Sequence, residues 1–251
     1  MDICLIIHPQ DSIHDFFLYN GLVRYLHTNN KGKSIYFILE SFYDDISFQM
    51  SDLINFEFEV LEDLNVQSIL KVLLGKYQNV KIRHFFGEID KFRLDNQKNT
   101  FLKRNVDEPL DIYKLYNLDK NIITDYFKIK RNSVKEQKLI TNVKNVANLD
   151  FAIFSSEHIP TILKKNSSIC LMLSKMFSKS NYFESICIIE KCKKIYICDR
   201  DVYSIYIYLL YLNKYIVNNN ITFIKTDNPV FEFSKIPEQW VIVHEKLYLE
   251  H

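Results

Sequence analysis

ICLIIHPQDSIHDFFLYNGLVRYLH, residues 3–27, decides how the chain is to be read. Its first five residues form an unbroken apolar run, too short for a buried helix and rich in isoleucine, so residues 4–7 read as a strand covered on both faces. Beyond residue 16 the pattern changes. Phe17, Leu18, Leu22, Tyr25 and Leu26 recur at helical spacing, which predicts a helix over 16–27. Between strand and helix, residues 8–15 form a loop that carries His8, Asp11, Ser12, His14 and Asp15 in a chain with only four glycines. In an open parallel sheet such a loop lies beyond the carboxyl end of its strand, where ligands bind and helix N-termini favour anions.

The alternation continues outward from this unit. Residues 34–39, 56–61 and 80–85 read as strands and 66–74 as another helix, the layout of a Rossmann-like half. Residues 107–146 turn polar and charged, which predicts helices over 110–118 and 124–143. Strand patterns return at 151–154, 169–173, 194–198, 221–224 and 241–244, with helices expected over 182–192 and 202–217. The expected fold class is α/β, two Rossmann-like halves with mainly parallel sheets. An N-terminal half over 1–145, with a helical insertion, precedes a C-terminal half over 150–248, and residues 249–251 read as a tag remnant.

Composition narrows the class. At 251 residues, 47% hydrophobic and 25% charged, the chain has enough apolar surface for a full core, which argues against a disordered protein. The formal net charge of +1 conceals an asymmetry: residues 1–63 carry 11 acidic and 3 basic side chains, and the remainder 20 and 29. A basic second part suits a phosphorylated ligand or nucleic acid, and equally a solvated surface of uneven charge. Its densest cluster is Lys128, Lys130, Arg131, Lys135, Lys138 and Lys144, next to Tyr126 and Phe127. Five cysteines form no C-x-x-C pair and sit in apolar runs, so they read as reduced thiols of a cytoplasmic protein, with no zinc site. The longest apolar stretch, 203–217, is interrupted by Asn213 and Lys214 and is too short for a membrane span, and no leader is expected.

Three loops concentrate candidate chemistry. In the first, Asp15 suits either a proton acceptor or a helix N-cap, and His8 and His14 are either catalytic or merely satisfied polar groups. No G-x-G-x-x-G is present, so a dinucleotide cofactor is not expected. In the second, Cys198-Asp199-Arg200-Asp201 follows a strand and precedes a helix at Val202-Tyr203. There an Asp-x-Asp can hold a divalent metal, or Asp201 can cap the helix with Asp199 as its turn partner. In the third, Ser155-Ser156-Glu157-His158 follows a strand without a nucleophile elbow and reads as a polar turn.

With these residues laid out, Asn20-Gly21-Leu22-Val23-Arg24-Tyr25-Leu26 after an opening strand resembles the start of GT-B-like glycosyltransferase-related proteins of large DNA viruses and bacteria. A second match runs through Ile112, Tyr113, Leu118, Phe127, Ile129, Arg131 and Glu136, and a third through residues 183–199, similar to the family's helix, strand and Cys-x-Asp end. The resemblance puts the family's aspartate on Asp15. Against it, His14 and Ser12 stand where the family has glycines, Asn132 where it has Asp, and Arg200-Asp201-Val202-Tyr203 where it has small residues. It implies a glycosyltransferase that moves a sugar from a nucleotide sugar to a glycan or other hydroxyl acceptor. Asp15, His14 and His8 are then the catalytic candidates. Asp199, Arg200, Asp201, Tyr203, Arg131, Ser155 and Ser156 are the donor-binding candidates, with no metal and no cofactor beyond the donor substrate. Two other readings are a relative that binds nucleotide sugar without turnover and, from the basic cluster, a nucleic-acid binder.

Overall fold

In a computed structural model, the protein is described over residues 2–7, 13–30, 32–77, 81–86, 119, 121–142, 146–148, 150–154, 169–173, 183–199, 202–217, 220–227 and 236–245. It divides into two compact units, Met1–Lys130 and Arg131–His251. In the first, β1 (Asp2–Ile7), α1 (Ile13–Asn29), β2 (Lys33–Leu39), α2 (Glu40–Met50), β3 (Phe56–Leu61), α3 (Val66–Lys76) and β4 (Lys81–Phe86) alternate in sequence. Their strands form one sheet in the order β3-β2-β1-β4, all parallel. The centre of this sheet is covered on both faces: Ile35, Tyr36, Phe37 and Ile38 on β2 are all fully buried, and consecutive strand residues point to opposite sides.

Helix α1 starts at Ile13, three residues before the expected position, because the apolar spacing marks only its packed face. Phe16, Phe17, Tyr19, Leu22, Val23 and Leu26 are all buried along it. The strand-to-helix link is correspondingly short, and the backbones of His14 and Asp15 belong to the helix's first turn rather than to the loop.

The segment expected as one helix over 124–143 is instead a short helix α4 (Asn121–Asp125), an extended strap, and helix α5 (Ser133–Asn142). Along the strap Phe127 and Ile129 are buried while Lys128 and Lys130 are exposed, an alternation of period two. Two side-chain amides take the place of a neighbouring strand. Asn20 accepts the Lys128 N–H through Oδ1 and donates to its carbonyl through Nδ2, both at 3.0 Å. Gln49 does the same for Lys130, accepting at 2.8 Å and donating at 3.0 Å. Arg24 supports the arrangement by donating to the Gln49 carbonyl at 2.7 Å and forking onto Asp52, which Lys128 Nζ also reaches at 2.5 Å. The Asn20-to-Arg24 motif and the Phe127-x-Ile129 motif, far apart in sequence, are thus one hydrogen-bonded structure. Lys130 Nζ meets Ser51 Oγ at 2.6 Å and the Phe48 ring at 4.7 Å, so the basic cluster does not line a single helix.

The second unit contains β5 (Asp150–Phe154), β6 (Ile169–Leu173), α6 (Ile186–Ile189), β7 (Lys194–Cys198), α7 (Val202–Leu212), β8 (Ile221–Thr226) and β9 (Val241–Glu245). All pairings are parallel, in the order β6-β5-β7-β8-β9. Where a helix was expected over 182–192 only α6 forms, flanked by turns, with residues 183–189 all buried. Helix α7 is likewise buried all round from Ser204 to Leu210. It ends at Leu212, not at 217, because Lys214 adopts φ 59°. That left-handed residue lets the Tyr215 N–H reach the Leu210 carbonyl at 2.8 Å, a C-terminal cap. Among the described residues no helix is long and apolar enough to cross a membrane. The helix expected over 110–118 lies outside the described residues.

Candidate functional site

Strand order locates the places where a parallel sheet receives a ligand. In the first unit the chain runs β1 to β2 to β3 in one direction and then returns to place β4 on the other side of β1. In the second it runs from β5 outward to β6, returns to β7 beside β5, and proceeds to β8 and β9. Loops leaving the two strands at such a reversal depart in opposite directions and leave a crevice at their carboxyl ends, the usual ligand position in open α/β sheets. The reversals fall between β1 and β4 and between β5 and β7. Pairing of β5 with β7 runs only from Asp150/Lys194 to Ala152/Tyr196, two residues short of both carboxyl ends.

Several candidates chosen from sequence follow these strand ends, whereas Arg131 lies on the strap before α5. His8 is the first residue after β1, Ser155 and Ser156 follow β5, and Asp199, Arg200 and Asp201 follow β7. His8, Ser155, Ser156, Arg200 and Asp201 lie outside the described residues. For His14, Asp15 and Tyr203 the description is limited to their helical backbone, at the N-terminal turns of α1 and α7. Topology therefore brings the Ser155-Ser156 and Asp199-Arg200-Asp201 segments to neighbouring strand ends of one sheet.

Asp199 is fully described. It is buried, its N–H continues the ladder to the Ile224 carbonyl at 3.1 Å, and its carboxylate faces β8. There Oδ1 accepts the Thr226 hydroxyl at 2.6 Å, and the Thr226 N–H lies 3.1 and 2.9 Å from Oδ1 and Oδ2. Five residues further on, Ser204 closes the turn from the other side. Its hydroxyl accepts the Cys198 N–H at 3.0 Å and donates to the Cys198 carbonyl. Sequence reading missed Thr226 and Ser204, and no local signal points to Thr226, which meets Asp199 only because β7 and β8 are neighbours.

Arg131 is engaged as well. Nε and Nη2 donate to Glu136 at 2.5 and 2.6 Å, and Nη1 and Nη2 to Glu190 at 2.7 and 3.1 Å. Hydrogen bonding to Glu136, opposed by partial burial and reinforced by Glu190, raises its pKa further, so it is a permanent cation between two carboxylates. Nearby, burial and then the Glu136 charge push the Cys187 thiol up to about 11, which leaves it an inert core sulfur rather than a nucleophile. Among the described residues no three His, Cys, Asp or Glu side chains gather as a metal-binding group.

No protein-family model matches the chain, and no curated protein matches it in sequence. Solved structures do. The glycosyl transferase family 9 protein from Veillonella parvula DSM 2008 aligns with a TM-score of 0.51 at 11% identity, over 98% of this chain and 86% of that one. The E. coli heptosyltransferase WaaC, with ADP-2-deoxy-2-fluoro heptose or with ADP, gives 0.34 and 0.36 at 9% identity, covering 97% of this chain and 93% of WaaC. At such identities a likeness speaks for the fold alone, and the first of these carries it: this chain has the mixed α/β, parallel-sheet fold of GT-B glycosyltransferases.

Proposed function

We propose that the protein is a glycosyltransferase that moves a sugar from a nucleotide-sugar donor to an acceptor hydroxyl. The observation that carries this reading is the likeness to the Veillonella parvula protein along 98% of the chain, combined with candidate residues that fall on the carboxyl ends of strands at both order reversals. The second unit takes the donor: Ser155 and Ser156 after β5, and Arg200, Asp201 and Tyr203 around the start of α7, supply hydroxyls, charge and helix-terminal N–H groups for a diphosphate. Arg131 and Asp199 support that unit from within, since both are held by other side chains. The first unit supplies the base that takes the hydroxyl proton, Asp15 before His14 and His8. The scheme calls for no metal.

The test is a thermal-shift screen of the whole chain against nucleotide sugars, in which a donor at 100 times its Kd adds about 2.7 kcal/mol of stability. Transfer is then assayed with the donor so found and a panel of hydroxyl acceptors. A donor that binds and is turned over supports the proposal; no stabilisation by any nucleotide sugar defeats it. The Arg131 ion pairs favour one further reading, binding without transfer, because they occupy the cation that the motif resemblance assigns to the departing diphosphate. Binding with neither transfer nor hydrolysis would establish it.

A further inference from the structure

The amino-terminal end of the second sheet, opposite the carboxyl ends that the donor candidates follow, gathers apolar and basic side chains at its surface. Strands β7, β8 and β9 begin side by side there, with Ile195 facing Ile221 and Thr222 facing Val241 in the ladder. The segment leading from α7 into β8 is tied to the start of β7. Its Asn220 carbonyl accepts the Ile195 N–H at 2.9 Å, and Asn220 Nδ2 donates to the Lys193 carbonyl at 3.0 Å. The carboxyl end of α7 also reaches the approach to β9, where the Tyr211 and Trp240 rings meet edge to face at 5.2 Å.

Apolar side chains stand out from this end. Val217 is 80% exposed, Val241 56% and Ile242 47%, and Leu212 is exposed beside Tyr211. One exposed aliphatic residue needs no explanation, but several on converging chain ends mark an interaction surface. Lysines rim it: Lys191, Lys193 and Lys214 are exposed, and Lys194 holds its ammonium 4.7 Å from the centre of the Tyr196 ring. Of the described acidic side chains at this end, Glu190 is taken up by Arg131 and Asp150 is buried against the Tyr196 hydroxyl, which leaves Glu238. The surface is therefore cationic as well as apolar. Tyr211, Tyr215 and Trp240 add aromatic side chains of the kind that gather where an apolar and a wet phase meet.

We propose that this end of the second unit docks on a bilayer containing anionic lipid, with Val217, Val241 and Ile242 entering the headgroup layer and Lys191, Lys193 and Lys214 meeting lipid phosphates. The aliphatic residues decide for a bilayer over a nucleic acid, because they gain from entering a lipid interface and a phosphodiester backbone offers them nothing. Each lysine near an anionic leaflet adds about fivefold to partitioning. The inference stands apart from the donor reading, since it concerns the other end of the sheet.

The experiment is sedimentation of the full chain with vesicles of phosphatidylcholine alone or mixed equally with phosphatidylglycerol. Wild type is expected to bind the mixed vesicles, more weakly as salt rises, and to stay in the supernatant with phosphatidylcholine alone. Lys193→Ala combined with Lys214→Ala should weaken binding by more than about tenfold, and Val217→Ser by about fivefold. Lys225→Ala, near the carboxyl end of β8, should leave it unchanged. All four positions are exposed, so the variants test the surface rather than folding, and circular dichroism melts check this. Trp240, the chain's one tryptophan, gives a second readout: it adjoins Val241, so bilayers with brominated acyl chains should quench its fluorescence on binding. No binding to the mixed vesicles overturns the proposal. Binding without quenching, or binding that Lys225→Ala weakens as much as the lysine pair does, places the contact elsewhere and overturns it equally. Loss in the lysine variant with unchanged binding in Val217→Ser, or displacement of the vesicles by single-stranded RNA, would mean an ionic surface for nucleic acid and overturn the bilayer reading.

Discussion

Asn20 is completely buried in α1, and its amide pairs with both backbone groups of Lys128. Truncating it takes that amide from a part-buried N–H and carbonyl, so Asn20→Ala is expected to cost about 2 kcal/mol, measured by urea denaturation. A loss under about 1 kcal/mol would mean that water replaces the amide. Asp52 and His27 set the pH dependence. Partial burial pushes the Asp52 carboxyl up, but hydrogen bonds from Arg24 and Lys128 outweigh it and hold the pKa at about 2, below its ordinary 3.8. Its contribution is therefore present above pH 3.8 and lost as pH falls from there toward 2. His27, half-buried with Nδ1 2.9 Å from Ser34 Oγ, is lowered from 6.5 chiefly by burial. The unfolded chain then binds the proton more readily, so stability declines as pH drops through 6.5. Asp52→Asn should flatten the first decline and His27→Gln the second in denaturation midpoints followed against pH. At the proposed base, Asp15→Asn should leave donor binding intact while transfer falls by about 10²–10⁴; retained turnover would remove Asp15 from the mechanism.

Among the elements, α7 and the strap show how local sequence and packing divide the work. Helix α7 stops because Lys214 enters the left-handed region, where a side chain is strained and glycine is not. Lys214→Gly should therefore raise stability by about 1 kcal/mol, read as a shifted urea midpoint with an unchanged slope. A destabilised variant would show that the Lys214 side chain itself contributes more than its backbone strain costs. The strap is the opposite case. Phe127-Lys128-Ile129-Lys130-Arg131 has the alternation of a strand, but among the described residues no strand pairs with it, and Asn20 and Gln49 stand in for one. Lysines at positions 128, 130, 135 and 138 mimic helical charge spacing, which is why the segment reads as helix until its buried positions are known.

For the whole molecule, the prediction concerns which unit responds to donor. If the crevice between β5 and β7 holds the nucleotide, hydrogen exchange on the full chain with bound donor should slow amides of β5, β7 and the first turn of α7 most strongly. Slowing confined to residues 1–130 would assign the donor to the other unit. The two strand orders differ, β3-β2-β1-β4 against β6-β5-β7-β8-β9, so the units are not copies of one arrangement.

What the sequence by itself determined is the succession of strands and helices. Segments 56–61, 169–173 and 194–198 match β3, β6 and β7 residue for residue. Burial inside a parallel sheet demands an apolar run such as that of β7, while the half-exposed edge strand β3 alternates Phe with Glu, and both demands are written locally. Tertiary structure alone decided the rest. Which strands are neighbours, and hence which loops flank a reversal, depends on pairings between segments with no mark of their partner. Asp199 meets Thr226 across 27 residues and Asn20 meets Lys128 across 108, so neither bond leaves a spacing to be read. Arg131 looked like a ligand for phosphate because its charge is visible in sequence, whereas the positions of Glu136 and Glu190 around it are consequences of the folded chain.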